Sequence, residues 1–330
     1  MQWFTIRSIK AKIVMQQRFE YLDIAKGIGI IMVVVGHMIS NKGCIGLCIN
    51  SIHMPLFFII SGLCFNANRN AKFIPFVKKR FRQIMIPCFV FTIICGCLQS
   101  SLIPDYRYLL GEIPGALWFL VALFGASIVF HVINQHIEKM NVSIYVISII
   151  VLFTIGRWLY IADFTPPHLQ YLTTIPIATA FYEIGFLFQK YKLGNLITTQ
   201  FANRFMLLPS IGILLIPFAY ALLTKDDLVF VNNKINASNG SLSILGVFSI
   251  LAVSNIMTQF KNTRWLVWLG KNTLPIMAVH VTIIELSVCY LKSDIYPAAL
   301  YKIVEFSIVW IISIGIAYLL NKYLPFIIGK

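Results

Sequence analysis

From about residue 21 to residue 320 the chain repeats one pattern: a long apolar run, a short polar or basic break, then another apolar run. An α-helix rises about 1.5 Å per residue, so about 20 apolar residues cross the roughly 30 Å hydrocarbon core of a bilayer. Runs at about 21–40, 52–66, 84–103, 114–133, 143–161, 171–189, 205–223, 241–258, 268–291 and 300–320 predict ten crossing helices. The fold class is therefore all-α, a polytopic integral membrane protein with about ten transmembrane helices in one bundle. The start of the chain, MQWFTIRSIKAKIVMQQ, alternates bulky apolar and basic residues. It suits a basic amphipathic helix in the membrane interface better than a cleaved leader, because further spans follow. This divides the chain into an N-terminal segment, 1–20, and a ten-span membrane domain, 21–330. The longest polar loop, TKDDLVFVNNKINASNG, is too short to fold alone, and neither an internal repeat nor a low-complexity tract is visible.

Composition agrees with this placement. The chain is 58% hydrophobic and only 12% charged, against about 25% charged in soluble domains. The net charge of +15 would suit nucleic acid if it formed one patch. Instead the cations sit in short loops, where they orient the protein and touch anionic membrane lipid, so no nucleic-acid partner is expected. With ten spans both ends lie on one side, and the segments of that side hold most of the 27 Lys and Arg residues. The opposite loops hold few, among them Lys42, Arg107, Lys225, Lys234 and Lys292. The positive-inside rule then predicts both termini in the cytoplasm. Most of the seven cysteines lie inside apolar runs as small hydrophobes; Cys44 and Cys48 share one loop and are close enough in sequence to pair.

The candidate chemistry begins in the first span, YLDIAKGIGIIMVVVGH. Asp23, Lys26 and His37 are ionisable groups where lipid tolerates few. Lys26 and His37 are eleven residues apart, almost three full turns, so they share a face with about 16 Å between them along the axis. Asp23, one turn before Lys26, falls roughly on that face. Gly27, Gly29 and Gly36 allow a helix or a thin ligand to approach closely. The plainer alternative is that Lys26 and Asp23 mark a helix end and snorkel, with His37 satisfied by a backbone carbonyl.

A second constellation is the basic stretch Lys78-Lys79-Arg80-Phe81-Arg82 before the third span. Lys and Arg clusters bind phosphate, and they equally anchor a loop on the cytoplasmic side. His53 opens the second span and His280 lies within LGKNTLPIMAVH, where Asn272 is placed to cap a helix and Pro275 to occupy its first turn. Neither histidine sits in a metal-binding pattern, so no metal is predicted. Glu183, Arg157, Glu285 and Glu305 are further charges at membrane depth, each expected to meet a neighbouring helix or line a polar cavity. Trp118 reads as an interfacial aromatic.

In order, YLDIAKGIGIIMVVVGH, HMPLFFIISG, KKRFRQIMIP, GALWFL and LGKNTLPIMAVH resemble acyltransferase family 3 of membrane O-acyltransferases, in the branch related to fucose 4-O-acetylases. The resemblance covers nearly the whole chain. The family's Arg/Lys-x10-His motif falls on Lys26 and His37, and its cytoplasmic Arg-x-x-Arg motif on Lys79 and Arg82. Lys79 departs from that pattern and lacks the bidentate fork of arginine. The resemblance implies transfer of an acyl group, usually acetyl, from cytoplasmic acyl-CoA to a hydroxyl of a cell-surface glycan or its lipid-linked precursor, in a bacterial inner membrane. Some members carry a fused extracytoplasmic hydrolase-like domain; this chain ends at Lys330 without one, so transfer is expected within the membrane domain. Donor phosphates would meet Lys79, Arg80 and Arg82, and His37 would act at the thioester as general base or as acyl carrier, with Asp23 or Lys26 orienting the site. The rival class is a secondary transporter or a flippase of lipid-linked saccharides, using the buried charges as a relay. Against it stand the lack of internal duplication and of paired Gly/Pro-broken spans.

Overall fold

The computed structural model describes residues 2–39, 44–100, 113, 115–162, 167–193, 204–224, 237–291 and 297–330. The outer-loop cations Lys42, Arg107, Lys225, Lys234 and Lys292 lie outside the described residues, as does the side chain of Cys44. The described residues form twelve α-helices: α1 (Gln2–Met38), α2 (Cys44–Leu63), α3 (Phe73–Arg80), α4 (Ile86–Ser100), α5 (Trp118–Ile137) and α6 (Val142–Ala162), then α7 (Ile175–Lys190), α8 (Leu207–Thr224), α9 (Ala237–Met257), α10 (Arg264–Lys271), α11 (Thr273–Tyr290) and α12 (Ala298–Tyr323). No strand occurs among the described residues. Eight helical stretches are long and apolar enough to cross a membrane, and α2 and α8 contribute shorter apolar stretches, Cys48–Leu63 and Leu207–Pro217. This is the all-α polytopic architecture that the apolar pattern predicts.

Two boundaries differ from the sequence reading. The span expected at 268–291 is broken at Asn272, so α10 is a separate short helix laid against α1. The third span begins earlier than expected, because α3 runs through a π-helical turn, Phe81–Met85, straight into α4. The cations of Lys78–Arg82 are thus on a helix rather than in a loop. Asn272 does stand at the N-cap position of α11, yet its side chain makes no capping bond; it donates to Trp268 O at 2.8 Å instead.

The bundle has an inner and an outer set. α1, α2, α7, α9 and α11 pack on one another around Ile24, Ile30, Leu56, Phe58, Phe181 and Val247, all fully buried. α6 and α12 are peripheral and turn Ile147, Ile150, Ile161, Ile303 and Ile311 outwards, a surface that only lipid can cover at no cost. Lipid tails are as apolar as leucine, so helices in a membrane are held by close packing rather than by the hydrophobic effect. That packing is at glycine here. A Cβ at Gly62 would overlap Tyr182 O and one at Gly185 would overlap Ile59 O, so α2 and α7 touch backbone to backbone. α1 and α10 meet in the same way, Gly27 on Leu266 O and Gly270 on Asp23 O.

Gly185→Ala forces α2 from α7 or strains both, and overpacking of this kind costs about 1–3 kcal/mol. The expected outcome is a lower melting temperature of the purified protein in detergent. An unchanged melting curve would contradict the backbone contact.

Candidate functional site

The centre of interest is built from three imidazoles on three inner helices. His37 is in the last turn of α1, His53 is in α2, and His280 lies mid-way along α11. Each ring turns Nδ1 to a carbonyl of its own helix: His37 to Val33 O at 2.8 Å, His53 to Ile49 O at 2.6 Å, and His280 to Met277 O at 2.7 Å. A carbonyl only accepts, so in each neutral ring Nδ1 carries the proton and Nε2 the lone pair. His280 Nε2 then faces His37 Nδ1 at 3.5 Å, with the rings edge to face and their centroids 4.9 Å apart. His53 is within electrostatic reach of both.

The three differ in access. His280 is fully buried and His53 nearly so, whereas His37 is exposed. His37 Nε2 makes no hydrogen bond among the described residues. It is a lone pair open to a ligand, on a ring whose other nitrogen already has two acceptors in front of it, Val33 O and His280 Nε2. When Nε2 takes a proton, those acceptors stabilise the imidazolium. The site can remove a proton from a hydroxyl, or attack a carbonyl. Among the described residues no group of three or more His, Cys, Asp or Glu is arranged to hold a metal ion.

Lys26 is not part of that cluster. Its Nζ is 2.6 Å from Asp23 Oδ1, and the side chains are 27% and 15% exposed. At about 16 Å, a bare charge couples to His37 by about 1 kcal/mol at an effective dielectric near 20, and the adjacent carboxylate cancels most of that. Lys26 and Asp23 belong instead with the basic helix. The Cys64 thiol lies within electrostatic reach of Lys26, Arg80 and Asp23 together, which brings the two sequence constellations to one end of the bundle. Lys78, Lys79 and Arg82 are exposed there. Arg80 is turned inwards: Nη2 donates to Tyr182 Oη at 2.8 Å, the guanidinium lies over the Phe76 ring, and Nε is buried without a partner. Of the three cations assigned to phosphate, Lys79 and Arg82 are available from solvent and Arg80 is largely engaged.

The remaining candidates are dispersed. Glu183 is fully buried on α7, where Ser148 Oγ donates to it at 3.1 Å from α6 and its Oε1 has no partner. Glu285 accepts a hydrogen bond from Gln99 of α4. Glu305 pairs with Lys302 on its own helix at 2.7 Å, and Arg157 lies over Tyr160, also on its own helix. Trp118, the first residue of α5, packs partly buried on the core beside Phe119. Cys48 is buried with Sγ 3.7 Å from Pro217 O. An apolar groove of about 440 Å³ opens beside the helix of His280, lined by Phe91, Leu98, Val279, Ile283, Tyr290 and Ile312 among others. Sequence reasoning did not anticipate Tyr182 or Gln99; a polar atom inside an apolar run was the available signal in both.

A family model described as an acyltransferase domain matches residues 19–322, almost the whole membrane region. The chain is similar to nodulation protein NolL of Mesorhizobium japonicum, with 24% identity over 317 residues, covering 90% of this chain and 81% of that protein. No solved structure matches.

Tyr182→Phe removes the acceptor of Arg80 and leaves a partly buried guanidinium short of a partner, which costs about 1–3 kcal/mol. A fall in melting temperature, largely recovered when Arg80 is also replaced by Met, is the expected result of a double-mutant cycle.

Proposed function

The chain belongs to acyltransferase family 3, a family of membrane acyltransferases, and from that premise we propose that it is an O-acyltransferase, most simply an O-acetyltransferase. It takes the acyl group from acyl-CoA at the Lys26 end and gives it to a hydroxyl of a cell-surface glycan or of its lipid-linked precursor. The match is to the family as a whole, and kinship with fucose 4-O-acetylases stays with the motifs. The distribution of Lys and Arg supports a bacterial inner membrane with both termini in the cytoplasm.

One observation carries the proposal: the exposed His37, held by Val33 O in the tautomer that leaves Nε2 open and backed by the buried His280. In the reaction Nε2 takes the proton of the acceptor hydroxyl as its oxygen attacks the thioester carbonyl. The tetrahedral intermediate collapses, the C–S bond breaks and the C–O ester bond remains. The CoA thiolate leaves with the proton returned from His37. The same Nε2 would attack directly if the acyl group rested first on histidine. His280 is a positioning residue: its Nε2 receives the Nδ1 proton side of His37 and favours the imidazolium. Asp23 and Lys26, paired about 16 Å away, support the entrance rather than the reacting atoms. Lys79 and Arg82 supply exposed charge for the donor phosphates.

Radiolabel from acetyl-CoA is expected in the envelope glycan fraction of membranes holding the wild-type protein and to vanish with His37→Ala. Equal label with both would remove His37 from the mechanism. His280→Phe keeps the volume and loses the acceptor; it should lower kcat by about ten- to a hundredfold with little change in KM, the pattern of an interaction made mainly in the transition state. A change in KM alone would assign His280 to packing.

A further inference from the structure

A second feature at the Lys26 end is assembled from parts that lie far apart in sequence. After α12 the chain makes a 3-10 turn, Pro325–Ile328, which buries Ile328 and closes with Gly329 in the left-handed region at φ +73°. A Cβ there would lie 2.6 Å from Gln83 O, so the turn rests directly on the backbone of the π-helical turn that carries Arg82. This folds Lys330 back over the junction of α10 and α11. Its Nζ donates to Asn321 Oδ1 at 2.5 Å and to Asn272 Oδ1 at 3.3 Å. The asparagines are fixed in turn, Asn321 Nδ2 donating to Asn272 Oδ1 and to Ala317 O, both at 2.6 Å.

Lys271, one residue before Asn272, is within electrostatic reach of Lys330. Burial first, and then the Lys271 ammonium, hold the pKa of Lys330 below the ordinary lysine range. Among the described residues no Asp or Glu lies within ion-pair distance of either lysine. Lys330 is thus held by amide oxygens, which orient an ammonium without neutralising it, and the Lys271 ammonium is within electrostatic reach. Such an arrangement costs free energy when empty and recovers it when an anion arrives. The neighbours are suitable: Gly270 is packed on Asp23, beside Lys26, and the turn touches Gln83, beside Arg82.

We propose that Lys271 and Lys330 form an anion site for a phosphate group, the nucleotide phosphates of the acyl donor. This rests on the acyl-CoA reading above for the source of the phosphate, and on the Lys330–Asn321–Asn272 geometry for the site itself. The two lysines add to the charge that Lys79 and Arg82 present, the turn before Lys330 resting on Gln83, next to Arg82.

The test is binding of adenosine 3′,5′-bisphosphate to the full chain in nanodiscs, in parallel with label transfer from acetyl-CoA and from acetyl-pantetheine, which lacks the nucleotide. Lys271→Ala and Lys330→Ala should each weaken bisphosphate binding about five- to tenfold, the corresponding Arg variants about twofold or less, and the exposed Lys139→Ala not at all. KM for acetyl-CoA should rise in step while KM for acetyl-pantetheine stays constant. Bisphosphate binding that the Lys→Ala changes weaken, in a protein that transfers no label, keeps the site and overturns the acyltransferase reading. Transfer with bisphosphate binding unaffected by either change overturns the site and leaves that reading intact. An effect seen only as altered dependence on phosphatidylglycerol in the nanodisc makes the site a lipid-headgroup contact and overturns its assignment to the donor.

Discussion

Contact between helix backbones at glycine sets the distances at the centre of this protein. In hydrocarbon there is no hydrophobic gain from pressing two apolar helices together, so the bundle depends on how closely they fit. Gly62 and Gly185 remove the side chains between α2 and α7, and Gly27 and Gly270 do the same between α1 and α10. Because Gly270 is fixed on Asp23, α11 starts at a set height beside α1, and His280 arrives level with His37. A pair of rings 4.9 Å apart is thus a consequence of contacts made elsewhere along the same helices.

The polar groups follow the second rule of the bilayer, that nothing able to hydrogen-bond is left bare cheaply. Imidazoles turn one nitrogen to a carbonyl one turn back, Asp23 and Lys26 neutralise each other, Arg80 finds Tyr182, and Glu183 finds Ser148. What remains unsatisfied is informative. Arg80 Nε and Glu183 Oε1 have no partner inside the bundle, and Nε2 of the exposed His37 makes no hydrogen bond among the described residues. The His37–His280 pair and the Lys330–Asn272 contact lie at different heights along α11, mid-way and at its start.

The first helix looked like one constellation and is two. The spacing of Lys26 and His37 does put them on one face, but a shared face over three turns is not a shared site. Asp23 takes up the charge of Lys26 at 2.6 Å, and the group that meets His37 comes from a helix more than 240 residues further along. In the basic stretch Arg80 looks equivalent to its neighbours by composition, and packing turns it inwards.

By itself the sequence determined that this is a helical membrane protein, roughly where its spans run, which family it resembles, and that His37 is unusual. Those properties are local: hydropathy over a span's length, and residue types at fixed spacing along one helix, need no knowledge of neighbours. Only the tertiary structure decided that His280 is the partner of His37, that Lys26 is spent on Asp23, that Asn272 holds Lys330 rather than capping α11, and that Lys271 comes within electrostatic reach of Lys330. Each of these depends on the relative height and rotation of two helices. That is set by backbone contact at particular glycines, and no pattern within a single segment specifies which glycine meets which carbonyl.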